Sequence, residues 1–209
     1  AKGGAASPWC GAFEDDEWKR YEYYNDLEKY YSDSYGSAYG PSEGVGWVNE
    51  LIARLTDSAV QDDTTTDKNL DSNQATFPLG PGAPRIFADF SSDDNIMKII
   101  SAMGIYNNTD IQQDNIASPS MVVSKIVPFA GCTVVEKISC SASNSAPTSV
   151  PSGSQLLPGD YVRVLINDAV VPLPSCSSLG YGMCALSDFV NTSQAFARRG
   201  GDFSLCFKS

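Results

Sequence analysis

The run FADFSSDDNIMKIISAMG, residues 87–104, concentrates groups able to handle an anion. A short β-prone stretch leads to the hydroxyls of Ser91 and Ser92 and the carboxylates of Asp93 and Asp94. Ile96, Ile99, Ile100 and Met103 then recur at helical spacing up to Gly104, a stop signal. The spacing predicts a strand, a turn and a helix N-terminus. Free backbone N–H groups and the positive dipole end gather at such a point, and ligands often bind beyond the carboxyl ends of strands. An anion could dock there. The same four residues also suffice to cap and charge-complement the helix, and spacing alone favours that plainer reading.

Other chemistries are limited by what is missing. None of the 209 residues is histidine. The six cysteines (Cys10, Cys132, Cys140, Cys176, Cys184 and Cys206) form no CxxC pair, so a zinc site is not indicated. The acidic run DDTTTDKNLDS lacks the glycine of a calcium-binding loop. Neither a metal nor another cofactor is expected. Disulfides are the expected use of the cysteines. The sequons Asn107-Asn108-Thr109 and Asn191-Thr192-Ser193 offer Asn107 and Asn191 as glycosylation sites on the same oxidising, secretory route.

The elements that must position these groups follow from periodicity. DDEWKRYEYYNDLEKYY places Trp18, Tyr21, Tyr24 and Leu27 at helical intervals behind an acidic start, and this aromatic stripe reads as core. GWVNELIARLTDS repeats the period through Val48, Leu51, Ile52 and Leu55. Residues 61–84 are polar and turn-rich, a surface excursion, and RIFADFSS reads as a strand. SKIVPFAGCTVVEKISC also reads as a strand, SASNSAPTSVPSGSQLLPGD as a Ser/Pro-rich loop, and YVRVLINDAVVPL as a hairpin turning at Asn167-Asp168. A last helix near SDFVNTSQAFARRGG starts at the capping candidate Ser187 and closes on Arg198, Arg199 and Gly200. Mixed helices and strands point to an α/β or α+β architecture.

Composition narrows the partners. With 14 Lys+Arg against 25 Asp+Glu the net charge is −11, a field that repels nucleic acid, anionic membranes and highly phosphorylated ligands. No apolar run approaches the roughly 18 residues that span a bilayer. A soluble protein is expected, and the start AKGGAASPWC suits a mature or proteolytically generated terminus.

Taken in order, SPWCGAF, DEWKRYEYYNDLEKYY, GVGWVNELIARLTDS, QDDTTTDKNLDS, ATFPLG, FADFSSDDNIMKIISAMGIYNNT, VPFAG, YVRVLINDAVVPL and GMCALSDFVNTSQAFARRGGDFSLCF resemble the C-terminal half of the histidine acid phosphatase family. The similarity is to its secreted fungal phytase and acid phosphatase branch. The resemblance implies an α/β fold, a mixed central sheet flanked by helices plus a smaller helical domain. Residues 1–209 would supply the C-terminal portion and the N-terminal portion would be absent from this chain. In the family a histidine of an Arg-His-Gly-x-Arg-x-Pro motif attacks phosphorus, arginines clamp the phosphoryl oxygens, and a later His-Asp pair completes the site. That pair falls on Ser92-Asp93, so the resemblance keeps the general acid as Asp93 and replaces the phosphate-contacting histidine by Ser92. Imidazole attack requires an imidazole, and this chain has none.

Phytases carry neighbouring lysines on the helix that here reads DLEKYY, where Lys29 is kept and Glu28 replaces its partner. The resemblance thus implies substrate contacts at Lys29 and Glu28, with a highly charged inositol phosphate disfavoured. A solvated helix face accounts for the two residues equally well. The resemblance also pairs Cys176 with Cys184, directs Cys10, Cys140 and Cys206 to cysteines of the absent portion, and leaves Cys132 without a counterpart. The partners implied are an N-terminal chain of the same precursor, disulfide-linked in a heterodimer, and a phosphomonoester ligand. Three functions are compatible: a weakly active or inactive scaffold with a binding role, an acid phosphatase completed by a companion chain bringing the nucleophile, or an autonomous secreted recognition protein.

Overall fold

A computed structural model of the chain describes residues 7–107, 111, 116, 121–141, 157–173, 176, 179–199 and 207, the last eight of the 179–199 run excepting 192 as backbone. Helix α1, Asp15–Asp33, opens on Asp15, Asp16 and Glu17, whose charges suit the positive helix end. Glu14 and Glu17 close a reciprocal capping box there. Tyr23, Asp26 and Asp33 are its buried residues, with Leu27 and Tyr30 packed partly against the core. The expected core stripe is therefore corrected. Trp18 is exposed, as are Tyr21 and Tyr24, at 60% and 64%. Helix α1 carries aromatic residues on two faces: one packs against the core, and on the other Trp18 meets Phe13 edge-on at 5.2 Å and donates to the Cys10 carbonyl while remaining exposed.

After the one-turn helix α2, Gly40–Glu43, Gly44 leads into α3, Val45–Thr56. An added Cβ at Gly44 would lie 2.3 Å from the carbonyl oxygen of Lys98, so glycine permits a close backbone approach to the later helix that carries Lys98. Val48, Leu51, Ile52 and Leu55 are buried as their period predicts. Asp57, in the left-handed conformation at φ 52°, ends the helix. The polar excursion beyond it contains a single helical turn, α4, Lys68–Asp71.

The predicted strand RIFADFSS is the second correction. Residues 85–92 belong to no strand, and Ile86 and Phe90 are 86% and 97% exposed. Strand hydrogen bonds come from a neighbour, and among the described residues none lies alongside. Helix α5, Asp93–Ala102, follows as expected, burying Met97 and Ile100, and Gly104 at φ 79° ends it. The stretch from Ser124 divides into a short helix α6, Val123–Ile126, and strand β1, Thr133–Cys140, rather than forming one strand.

Strand β1 pairs antiparallel with β2, Gly159–Ile166, from Thr133 opposite Ile166 to Cys140 opposite Gly159. Asn167 and Asp168, at φ 49° and 67°, make the predicted tight turn into β3, Ala169–Val171. Strand β4, Cys184–Ala185, joins the same side of β2 at Val162 and Tyr161. All pairings among the described residues are antiparallel. The last helix, α7, Leu186–Arg199, includes Ser187 rather than starting after it, and buries Phe189. Cys176 and Cys184 form the expected disulfide. The α/β class holds, with helices α1, α3, α5 and α7 and the sheet sharing one apolar core. No helix among the described residues is long and apolar enough to cross a membrane.

Candidate functional site

The start of α5 brings the predicted groups together. Ser92 occupies the N-cap position with extended backbone, and its carbonyl accepts from Ile96 N at 3.0 Å. The Ser92 side chain makes no capping hydrogen bond, so the hydroxyl does not serve the role that spacing alone assigned it. Asp93 and Asp94 form the acidic first turn.

Lys29 reaches across from α1. Its Nζ lies 3.0 Å from Asp93 Oδ2 and 3.7 Å from Asp33 Oδ2, and it also contacts Asp94 Oδ1. Lys98, one turn along α5 from Asp94, bonds Glu43 Oε2 at 2.6 Å and Asp33 Oδ1 at 3.4 Å. The Glu43 hydrogen bond raises the Lys98 pKa against the opposing effect of burial, with the charges of Glu43 and Asp33 assisting. Charge thus alternates from Asp93 and Asp94 through Lys29, Asp33 and Lys98 to Glu43. Sequence spacing offered the Lys29–Asp33 pair at i,i+4, whereas the α1–α5 contacts are long-range and left no local signal.

This arrangement leaves the Asp93 carboxyl open to solvent, at 54% side-chain exposure, and places Lys29, at 15%, among three carboxylates. Glu28 is exposed and takes no part in the network. An exposed carboxyl at a helix N-terminus, beside a hydroxyl, is able to exchange a proton with a group docked there. Among the described residues no cluster of His, Cys, Asp or Glu is arranged to hold a metal ion.

The segment that delivers this site is anchored at Asp89. Arg54 Nη1 donates to Asp89 Oδ2 at 2.7 Å, Nη2 to Oδ1 at 3.5 Å, and Trp47 Nε1 to Oδ2 at 3.0 Å. The Arg54 guanidinium lies over the rings of both Phe77 and Phe87, 4.8 and 4.9 Å from their centroids. Burial works to raise the Asp89 pKa, but the Arg54 hydrogen bond and charge, with the Trp47 bond, hold it below the ordinary value. Trp47, Arg54 and Asp89 are joined across 42 and 35 positions of sequence, and no local pattern marks the clamp.

Cys10 and Cys132 are exposed free thiols and Cys140 is a partly exposed one, while Cys206 lies outside the described residues. Asn107 is exposed at the edge of the described chain, with Asn108 and Thr109 beyond it. Asn191 is exposed on α7.

Comparison with known proteins gives this geometry a family. Residues 4–167 match the profile of the Histidine phosphatase superfamily (branch 2). Phytase A of Emericella nidulans is 41% identical over 212 residues, covering 99% of this chain and 42% of that protein. Phytase A of Aspergillus awamori is 42% identical over 205 residues, covering 96% of this chain and 40% of that protein. The crystal structure of the phytase from D. castellii superposes with a TM-score of 0.60 at 26% identity, covering 91% of this chain and 34% of that one. The chain thus spans well under half the length of the curated relatives it matches. On its sequence, its fold and the length of the match, the chain belongs to the histidine phosphatase superfamily, branch 2.

Proposed function

We propose that this chain is the C-terminal portion of a secreted, phytase-like histidine acid phosphatase scaffold in which phosphomonoester hydrolysis is weak or lost. The observation that carries the reading is the pair Ser92-Asp93 at the start of α5, where the family resemblance places His-Asp, in a chain without histidine. A phosphoryl group docked there would find the Asp93 carboxyl for its leaving oxygen but no imidazole to attack phosphorus or to brace the developing charge. Losing one positioned donor of this kind costs roughly 100- to 1000-fold in rate. The nucleophile would have to come from a companion polypeptide. The unpaired segment 85–92, the exposed aromatic face of α1 and the free thiols of Cys10 and Cys140 support a disulfide-linked companion carrying the N-terminal portion. The cysteines and the sequons at Asn107 and Asn191 support secretion and glycosylation.

A second reading, an active acid phosphatase completed by that companion, is favoured by the solvent-open carboxyl of Asp93. One assay separates the two. With p-nitrophenyl phosphate at acidic pH, the assembled protein is expected to turn over slowly and Ser92→His to raise the rate about 100-fold. Rapid turnover in the unmodified assembly, lost in Asp93→Asn, would overturn the weak-scaffold reading in favour of the active enzyme.

A further inference from the structure

A groove opens where α7 passes the start of β2. Leu157 and Pro158 line it from the strand side and Leu186 and Val190 from the helix side, together with the cross-strand pair Tyr161 and Ala185. Its volume, about 610 Å³, falls in the roughly 300–1,000 Å³ range of small-ligand sites. Leu157 is 71% exposed, so a large apolar side chain stands in solvent. The Tyr161 hydroxyl donates to the Leu157 carbonyl at 2.6 Å and holds that wall in place.

The polar groups at the rim decide what can enter. Asp160, Ser187 and Asn191 are exposed there. Asp160 Oδ1 accepts from Ser139 Oγ at 2.6 Å and its Oδ2 lies 3.3 Å from Lys137 Nζ, so this carboxylate is fixed and already paired. Among the described residues no lysine or arginine lines the groove. An anion would therefore meet Asp160 and the chain's net charge of −11 with no cation to receive it, and a cation would compete with Lys137. The groove fits a neutral molecule with one apolar face and a ring of hydroxyls, which describes a pyranose. Asn191, in the sequon Asn191-Thr192-Ser193 and beside Val190 on α7, is placed to carry one.

We propose that this groove seats the first N-acetylglucosamine of a glycan attached to Asn191. The inference rests on the glycosylation reading of that sequon and adds where the sugar goes and what it covers. Attachment joins Asn191 Nδ2 to the anomeric carbon of the sugar. The bond from that carbon to the diphosphate of a lipid-linked oligosaccharide breaks, the diphosphate leaves, and one amide proton passes to solvent. The seated sugar lays its C–H face over Leu157 and Val190 and turns its hydroxyls toward Ser187 and the solvent, removing the apolar patch from water.

The test uses the whole protein purified from a host that glycosylates secreted chains. Peptide mass spectrometry after amidase release, which leaves aspartate at an occupied site, first reads whether Asn191 carries a glycan; an unmodified Asn191 would overturn the inference together with the glycosylation reading. Hydrogen exchange is then compared between the glycosylated protein and the same protein enzymatically deglycosylated while folded. Amides of residues 159–161 and 185–191 are expected to lose about tenfold in protection, while those of residues 133–136 stay unchanged. Leu157→Ser, at an exposed position, keeps the glycan and removes part of its seat, and should cost much of the same protection. Protection around the groove that is identical with and without the glycan, or untouched by Leu157→Ser, would overturn the seat and leave glycosylation standing, with the groove open or filled by another occupant.

Discussion

Arg54 and Lys29 grip the segment 89–94 from opposite ends and in different ways. Arg54 commits a planar guanidinium to one carboxylate, Asp89, with two aromatic rings against it and the Trp47 indole completing the set. Lys29 spreads one ammonium over Asp33, Asp93 and Asp94, two of which stand half in solvent. A fork held by fixed geometry and flat packing is hard to exchange, whereas a compact charge shared among several acceptors can release any one of them. The comparison assigns Arg54 to the scaffold and Lys29 to an adaptable end of the same segment.

The strongest way to break this contrast is Arg54→Ala. It removes the guanidinium from two ring contacts and leaves Asp89 without its cation, and should cost about 2–4 kcal/mol in urea unfolding. Arg54→Lys should recover less than half of the loss, because an ammonium reproduces neither the fork nor the stacking. A smaller effect is expected in acid. The Asp89 pKa is depressed in the folded chain, so its contribution is present above the ordinary aspartate value of 3.8 and is lost as pH falls through the lower folded value. Thermal unfolding between pH 5 and 2 should show a steeper acid limb in the unmodified protein than in Arg54→Ala. The smallest effect belongs to Lys29→Met, below about 1 kcal/mol and shrinking further in 0.5 M salt, since Asp93 and Asp94 stand half in solvent and the buried Asp33 keeps Lys98 as a cation. Equal losses for Arg54→Ala and Lys29→Met would erase the distinction.

What the sequence disclosed follows the range of the interactions. Helices α1, α3 and α5 and the turn at Asn167-Asp168 rest on local period and local backbone preference, and they appear where the pattern places them. The residues 85–92 carry a strand pattern but no strand, because pairing is supplied by neighbours and the described chain provides none. For the same reason Trp18, Tyr21 and Tyr24, apolar at helical spacing, stand in solvent while Tyr23 and Leu27 turn inward. Local spacing placed Ser92 and Asp93 at a helix start and favoured a capping role, and the family resemblance alone made them a candidate site. The grip of Lys29 on Asp93 and the Arg54–Asp89 clamp join residues dozens of positions apart, and nothing in the local pattern announces them.

Under the proposed function this chain contributes a carboxyl group to phosphoester chemistry and no nucleophile. Hydrolysis of p-nitrophenyl phosphate at acidic pH by the purified 209-residue chain, freed of any companion, is the decisive measurement. The expected rate is indistinguishable from the buffer blank and unchanged by Asp93→Asn. Efficient turnover by the solitary chain, lost on that substitution, would contradict it.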